Sequence, residues 1–318
     1  MSPGPRRPPL ASTATRARLV ALTAAALAAC AADPVVWDHA AERRLPAPAG
    51  TAAQASDAAA ESLAATGVLA AVRGAAAPAS PASASPAPAP PATLPTAADP
   101  HACPASLRLA PGRDGVVGAV WWSERADHSA ALRTNRSADR GRTWSAPLAV
   151  DTLDLSEAGC DRPAPSIAID AANGYLHVAY SMDAPEGKGV FYAHQMDPRA
   201  GFERPQAVVY GDRPAATSVA SAGDLVVVAY EDPNTGGRPF VSLALSHTGG
   251  HSFAERFAAS EGSSTSAERP VVAVANRRVA LGWIEHAAPR QIAGTDDPRS
   301  VTAAQPSGVV VRVGELRQ

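Results

Sequence analysis

Three arginines sit in one repeated context: Asp161-Arg162-Pro163, Asp212-Arg213-Pro214 and Glu268-Arg269-Pro270. Each triplet opens an apolar run. A guanidinium presents a planar fork of donors that matches a carboxylate, so three of them converging on one mouth would bind an anionic ligand bidentately. The same register supports a second reading. An acid precedes every arginine, which favours local ion pairs, and identical placement in successive units suits a repeated structural role. Arg162, Arg213 and Arg269 are ligand-binding candidates weighed against that role.

Other chemistry is thinly represented. His177, His194, His247, His251 and His286 show no paired spacing on a predicted helix, and no cysteine cluster exists, so no metal site is expected. Asp296-Asp297 reads as solvated loop acid. No Gly-rich phosphate loop, nucleophile elbow or zinc-protease motif occurs, and no cofactor is expected. With 28 basic and 30 acidic residues, the formal net charge is −2, which gives no sign of a nucleic-acid partner.

The elements that must position the arginines are short strands. From His101 onward, β-branched and aromatic runs alternate with Gly, Pro, Asn and Asp. Segments 118–123 (GAVWWS), 176–181 (LHVAYS), 226–231 (VVVAYE) and 280–285 (ALGWIE) share one pattern. Their aromatics Trp122, Tyr180, Tyr230 and Trp283 recur about every fifty residues, the length of a four-stranded propeller blade. The expected fold is all-β: a β-propeller of about four four-stranded blades over residues 101–318. A compact four-bladed or irregular ring is the expected arrangement, with Gly308–Gly314 as a candidate closing strand.

One turn is read with particular definition. In Ser137-Ala138-Asp139-Arg140-Gly141-Arg142-Thr143-Trp144, Ser137 and Asp139 can bond nearby backbone N–H groups, and Gly141 supplies positive φ. Trp144 is expected to anchor the outgoing strand by burial. Ser246 to Phe253 repeats the pattern with Thr248 for Asp139, and Asp197 to Phe202 keeps a remnant.

This S-x-D-x-G-x-T-W pattern resembles the Asp-box, or bacterial neuraminidase repeat, of sialidase-like β-propellers. In that family the box is a fold marker away from the catalytic pocket, so Ser137, Asp139, Gly141, Thr143 and Trp144 are structural. The family grips its substrate carboxylate with an arginine triad. It also uses a tyrosine nucleophile activated by a glutamate, with an aspartate acid. By that resemblance Tyr230, Glu231 and Asp232 are the catalytic candidates, although Tyr180 and Tyr230 occupy the repeated core-aromatic position. The Arg-Ile-Pro motif that opens sialidase catalytic domains is missing; Arg162-Pro163-Ala164-Pro165 is a distant echo. The leading expectation is a non-catalytic module binding a glycan or an envelope protein, and the alternative is an exo-sialidase-type glycoside hydrolase.

Residues 1–29 read as an export signal: Arg6, Arg7, Arg16 and Arg18, then the apolar run 19–29, too short to span a bilayer as a helix. Leu27-Ala28-Ala29-Cys30 resembles a bacterial lipobox, which makes Cys30 a lipidated first residue and the membrane a partner. The alternative is cleavage at an A-x-A site. Ala31 lacks the acid linked to inner-membrane retention, which favours the outer membrane within a bacterial cell envelope. Residues 30–100, rich in Ala and Pro, read as a disordered tether. Cys103 and Cys160 then form an even pair in an exported chain, for which a disulfide is expected over two free thiols. The loop-entropy gain is on the order of 4 kcal/mol.

Overall fold

A computed structural model describes residues 33–46, 94–235, 238–260, 265–287 and 306–317. Two short strands come first, β1 (Val35–Trp37) and β2 (Arg43–Pro46). The first repeat unit forms β3 (Arg108–Pro111), β4 (Val117–Glu124), β5 (Ala130–Ser137) and β6 (Leu148–Asp151). The second forms β7 (Ser166–Ile169), β8 (Leu176–Ala184), β9 (Gly187–Gln195) and β10 (Gln206–Tyr210). The third forms β11 (Thr217–Ala222), β12 (Leu225–Glu231), β13 (Val241–Ser246) and β14 (Glu255–Ala258). The fourth forms β15 (Thr265–Ala275), β16 (Arg278–Ala287) and β17 (Pro306–Leu316). Each unit is one antiparallel sheet, and among the described residues there is no α-helix.

The second strand of each unit reads as a continuous apolar run because both of its faces are covered. Val120 and Trp122 of β4 pack with Val178, Tyr180 and Phe191 of the second sheet. Tyr192 and Ala179 of the second sheet pack with Val226, Val228 and Tyr230 of the third. Val227 and Ala229 face the other way, onto Val279, Leu281 and Trp283 of the fourth. The period-2 alternation of a strand therefore sends successive apolar residues into two different seams. The first strands β3, β7, β11 and β15 pack against one another in that order, so the sheets succeed each other as propeller blades.

Among the described residues, three apolar seams join the four blades. On its far side the fourth sheet has a cluster of Ala280, Ile284, Val309, Val311 and Val313, which among the described residues includes no first-sheet residue. Among the described residues, no apolar cluster joins the fourth sheet to the first.

Two boundaries differ from the sequence reading. Residues 33–46 lie within the expected tether, yet β1 and β2 both pair antiparallel with β17, at Gly314–Leu316 and Gly308–Val311. They act as one outer strand interrupted by a 3-10 turn at His39–Ala41, whose N–H groups Asp38 caps. Val35, Val36, Trp37 and Leu45 are strand formers hidden ahead of an Ala/Pro tract that dominates the average composition. The candidate closing strand at Gly308–Gly314 is instead an interior strand, between β16 and the N-terminal segment. Asp99, also inside the expected tether, accepts from Trp121 Nε1 at 2.8 Å and Ser123 Oγ at 3.0 Å. The signal peptide and Cys30 lie outside the described residues, as do Asp296 and Asp297.

The turn after β5 has the expected bonds. Ser137 Oγ accepts from Gly141 N–H at 2.8 Å, and Asp139 Oδ1 accepts from Thr143 N–H at 2.8 Å. Gly141 has φ 83°. Trp144 is half-buried and covers Gly141 instead of entering the core. The turn after β13 reproduces the skeleton: Ser246 Oγ accepts from Gly250 N–H at 3.0 Å, and Thr248 Oγ1 from Ser252 N–H at 3.2 Å. The expected disulfide joins Cys103 to Cys160.

Candidate functional site

Loop 152–165, which leads from β6 into β7, brings the first candidate arginine into place. Its long path folds over the end of the first two sheets and is tied down by the disulfide at Cys160. Arg162 is almost sealed there, its side chain 5% exposed. Nη1 donates to Asp154 Oδ2 at 2.7 Å and Nε to Gly159 O at 2.6 Å, while the guanidinium lies 5.0 Å over the Trp122 ring. The same Asp154 oxygen accepts from Ala130 N–H at 2.9 Å. The partner is thus Asp154, eight residues upstream, and not the adjacent Asp161.

A cleft of about 350 Å³ opens beside this pair. Arg162 and Arg213 both line it, together with Asp161, Asp212 and the Asp183–Lys188 ion pair at 3.3 Å. Arg213 Nη1 donates to Thr235 O at 3.0 Å. Arg269 does not line the cleft. It sits in β15 at the bulge between Glu268 and Val271, with φ 52°, and its backbone N–H donates to Glu231 Oε1 at 2.7 Å. Two of the three repeated arginines meet in one cleft; the third marks a bulge. Sequence reading missed Asp154, Asp183 and Lys188, because loop 152–165 and the β8–β9 hairpin have no counterpart motif in the repeats.

The catalytic candidates do not form a relay. Tyr230 and Glu231 are strand neighbours, so their side chains leave opposite faces of β12. Tyr230 is buried in the seam between the second and third sheets, and burial pushes its phenol up to about 12. Glu231 holds backbone N–H groups of Arg269 and Ala216, at 2.7 and 3.3 Å. Burial raises its carboxyl above the usual range despite these donors. Asp232 Oδ1 caps a turn by accepting from Asn234 N–H at 2.9 Å. Tyr180 donates to Asp151 Oδ2 at 2.5 Å deep in the first seam, where burial and that carboxylate raise its phenol far above normal.

At the opposite end of the sheets, two histidines without any paired spacing in the sequence are brought together. His194 on β9, Glu203 in the β9–β10 connection and His251 in the turn after β13 place their ligand atoms within 4.8 Å of one another. His194 Nε2 is 3.3 Å from Glu203 Oε2, and His251 Nδ1 is 3.6 Å from the same oxygen. His194 is 2% exposed, and burial lowers its basicity more than Glu203 restores it. Its Nε2 has no hydrogen-bond partner. Behind it, His177 Nδ1 and Tyr192 Oη are 2.6 Å apart, and burial pushes the His177 imidazole down to about 4. Gly250 is required for this approach: it has φ 97°, and a Cβ there would collide with Tyr192 Oη. These three side chains are of types that could ligate a metal ion, a grouping that no spacing in the sequence suggested. Packing of two sheets joins positions that no local spacing links, and the only trace in the sequence is that both histidines flank corresponding turns.

No protein-family model matches the chain, and no curated protein matches it. Solved structures similar to it include a Hadza microbial sialidase, 14% identical over 56% of this chain and 41% of that one, with a TM-score of 0.43. A protein of unknown function from Dyadobacter fermentans is 12% identical over 66% and 52%, with a TM-score of 0.44. A Trypanosoma rangeli sialidase is 11% identical over 57% and 35%, with a TM-score of 0.40. The chain thus spans between about a third and a half of these proteins. Likeness this distant carries nothing about activity, and the blade architecture rests on the strand pairings and seams above.

Proposed function

We propose that the protein is a non-catalytic binding module, lipid-anchored through Cys30 on the outer membrane of a bacterial envelope, whose cleft beside Arg213 takes a glycan or a protein segment. The observation that carries this reading is the separation of Tyr230 from Glu231. A tyrosine nucleophile needs a carboxylate within hydrogen-bond reach of its phenol. Here the phenol is in a seam, and the carboxylate holds two backbone N–H groups on the other face. The cleft suits polar ligands: Asp161, Asp183, Lys188, Asp212 and Arg213 line it and can exchange hydrogen bonds with hydroxyl groups, while Arg162 and Asp154 are spent on each other.

One observation favours the second reading, a sialidase-type hydrolase. Arg162 and Arg213 line the same cleft, as a carboxylate-binding pair would. Incubation of the purified protein with a fluorogenic sialoside separates the two. The binding module releases no fluorophore, while glycan-array or pull-down ligands are retained and lost in Arg213→Ala with the fold intact. Turnover by the wild type that disappears in Arg213→Ala would establish the hydrolase instead.

A further inference from the structure

We propose that His194, Glu203 and His251 form a binding site for a divalent cation of zinc type, which clips the second sheet to the third. Two nitrogens and one carboxylate oxygen are a ligand set that suits zinc, with bonds of about 2.0–2.2 Å. Around a tetrahedral ion such bonds put neighbouring ligand atoms roughly 3.3–3.5 Å apart. The separations of 3.3 Å and 3.6 Å from Glu203 Oε2 to the two imidazole nitrogens match that spacing, and the whole set lies within 4.8 Å, so a small side-chain adjustment would close it around an ion.

The unpartnered atom is the second, independent observation. His194 Nε2 is buried and lacks a hydrogen-bond partner, although it faces the Glu203 carboxylate. A buried nitrogen left this way costs free energy unless something fills the gap. A cation would satisfy it, along with the two more exposed ligands. The side chains of Glu203 and His251 are 43% and 49% exposed, so the site is open to solvent, from which a water can come as fourth ligand.

The site is also built by the fold. Gln206 Nε2 donates to Gly250 O at 2.6 Å, fixing the turn that carries His251 against the second sheet. Glu203 N–H donates to His194 O at 3.0 Å, fixing the carboxylate's backbone beside the imidazole. Both clamps hold without an ion, so the ligands are positioned in advance and little ordering remains to be done on binding.

The test uses untagged full-length protein stripped with a chelator and titrated with zinc chloride in a calorimeter, with a melting curve at each ratio. One ion per chain and a rise in Tm are expected. His251→Ala and Glu203→Gln should each weaken binding by more than the ~10–100-fold typical of outer-shell losses. Both should keep the chelator-treated wild-type Tm, since their side chains are largely exposed. His194→Ala is left aside as the variant at risk of misfolding. Failure of the wild type to bind at micromolar zinc, or unchanged affinity in both variants, overturns the site.

Discussion

The two ends of the blades satisfy their buried polar groups in opposite ways. At the loop end, Arg162 and Asp154 neutralise each other, and the remaining donors of the guanidinium go to loop carbonyls. At the turn end, His194 Nε2 is as deeply buried and faces the Glu203 carboxylate at 3.3 Å without a hydrogen bond being formed. The arginine that looked like a binding group is therefore a stitch, while a histidine set aside for want of a spacing pattern has the buried nitrogen without a hydrogen bond. Residue type misleads here; satisfaction of the buried atom separates scaffold from site.

The sharpest way to break this contrast is to remove the stitch. Arg162→Ala leaves the carboxylate of Asp154 buried without its counter-charge, a change that costs about 3–5 kcal/mol in comparable sites. Urea unfolding should show that loss, with Arg162→Lys recovering only part of it, because a single ammonium cannot reproduce the fork that reaches Asp154 and Gly159 together. A variant of near wild-type stability that had lost ligand binding would make Arg162 a binding residue and erase the difference between the ends.

Much of this architecture could be read from the chain, for physical reasons that also mark where reading stopped. The second strand of each blade is covered on both faces, so Val226–Tyr230 and its relatives appear as uninterrupted apolar runs of regular spacing. Turn chemistry is local, so Ser137, Asp139 and Gly141 declared their bonds directly. The N-terminal strand was hidden because Val35–Trp37 contributes few residues to a segment dominated by alanine and proline. Asp154 was missed because a loop repeats nothing. The histidine cluster depends on one blade packing on another, and the 56 residues between His194 and His251 contain no pattern that reports it.

A smaller effect tests whether the two related turns are equivalent scaffolds. Ser137 and Ser246 are both buried and each accepts a backbone N–H from the glycine four residues on. Replacing either with alanine leaves that N–H without its acceptor, at about 1–3 kcal/mol. Similar losses in Ser137→Ala and Ser246→Ala, measured by denaturant titration, are expected. Ser246→Ala should in addition weaken zinc binding, because the turn it holds presents His251. Ser137→Ala should leave zinc binding unchanged.

The finest distinction between those turns is electrostatic. Bonds from the Thr143 N–H and hydroxyl, then from Ser137, hold the Asp139 carboxyl down to about 2. Thr248 occupies the same place in the later turn with a hydroxyl that does not titrate. A carboxylate depressed in the folded state stabilises fully above its unfolded value of ~3.9, and that contribution fades as pH falls towards about 2. Below both values it is gone. Melting temperature followed from pH 5 downward should therefore fall less steeply in Asp139→Asn than in the wild type, from a lower starting point. Thr248→Ala should shift the whole curve with its slope unchanged. Equal slopes in the wild type and Asp139→Asn would mean that the carboxylate's charge is not what closes the first turn, and that the hydroxyl version is its full chemical equivalent.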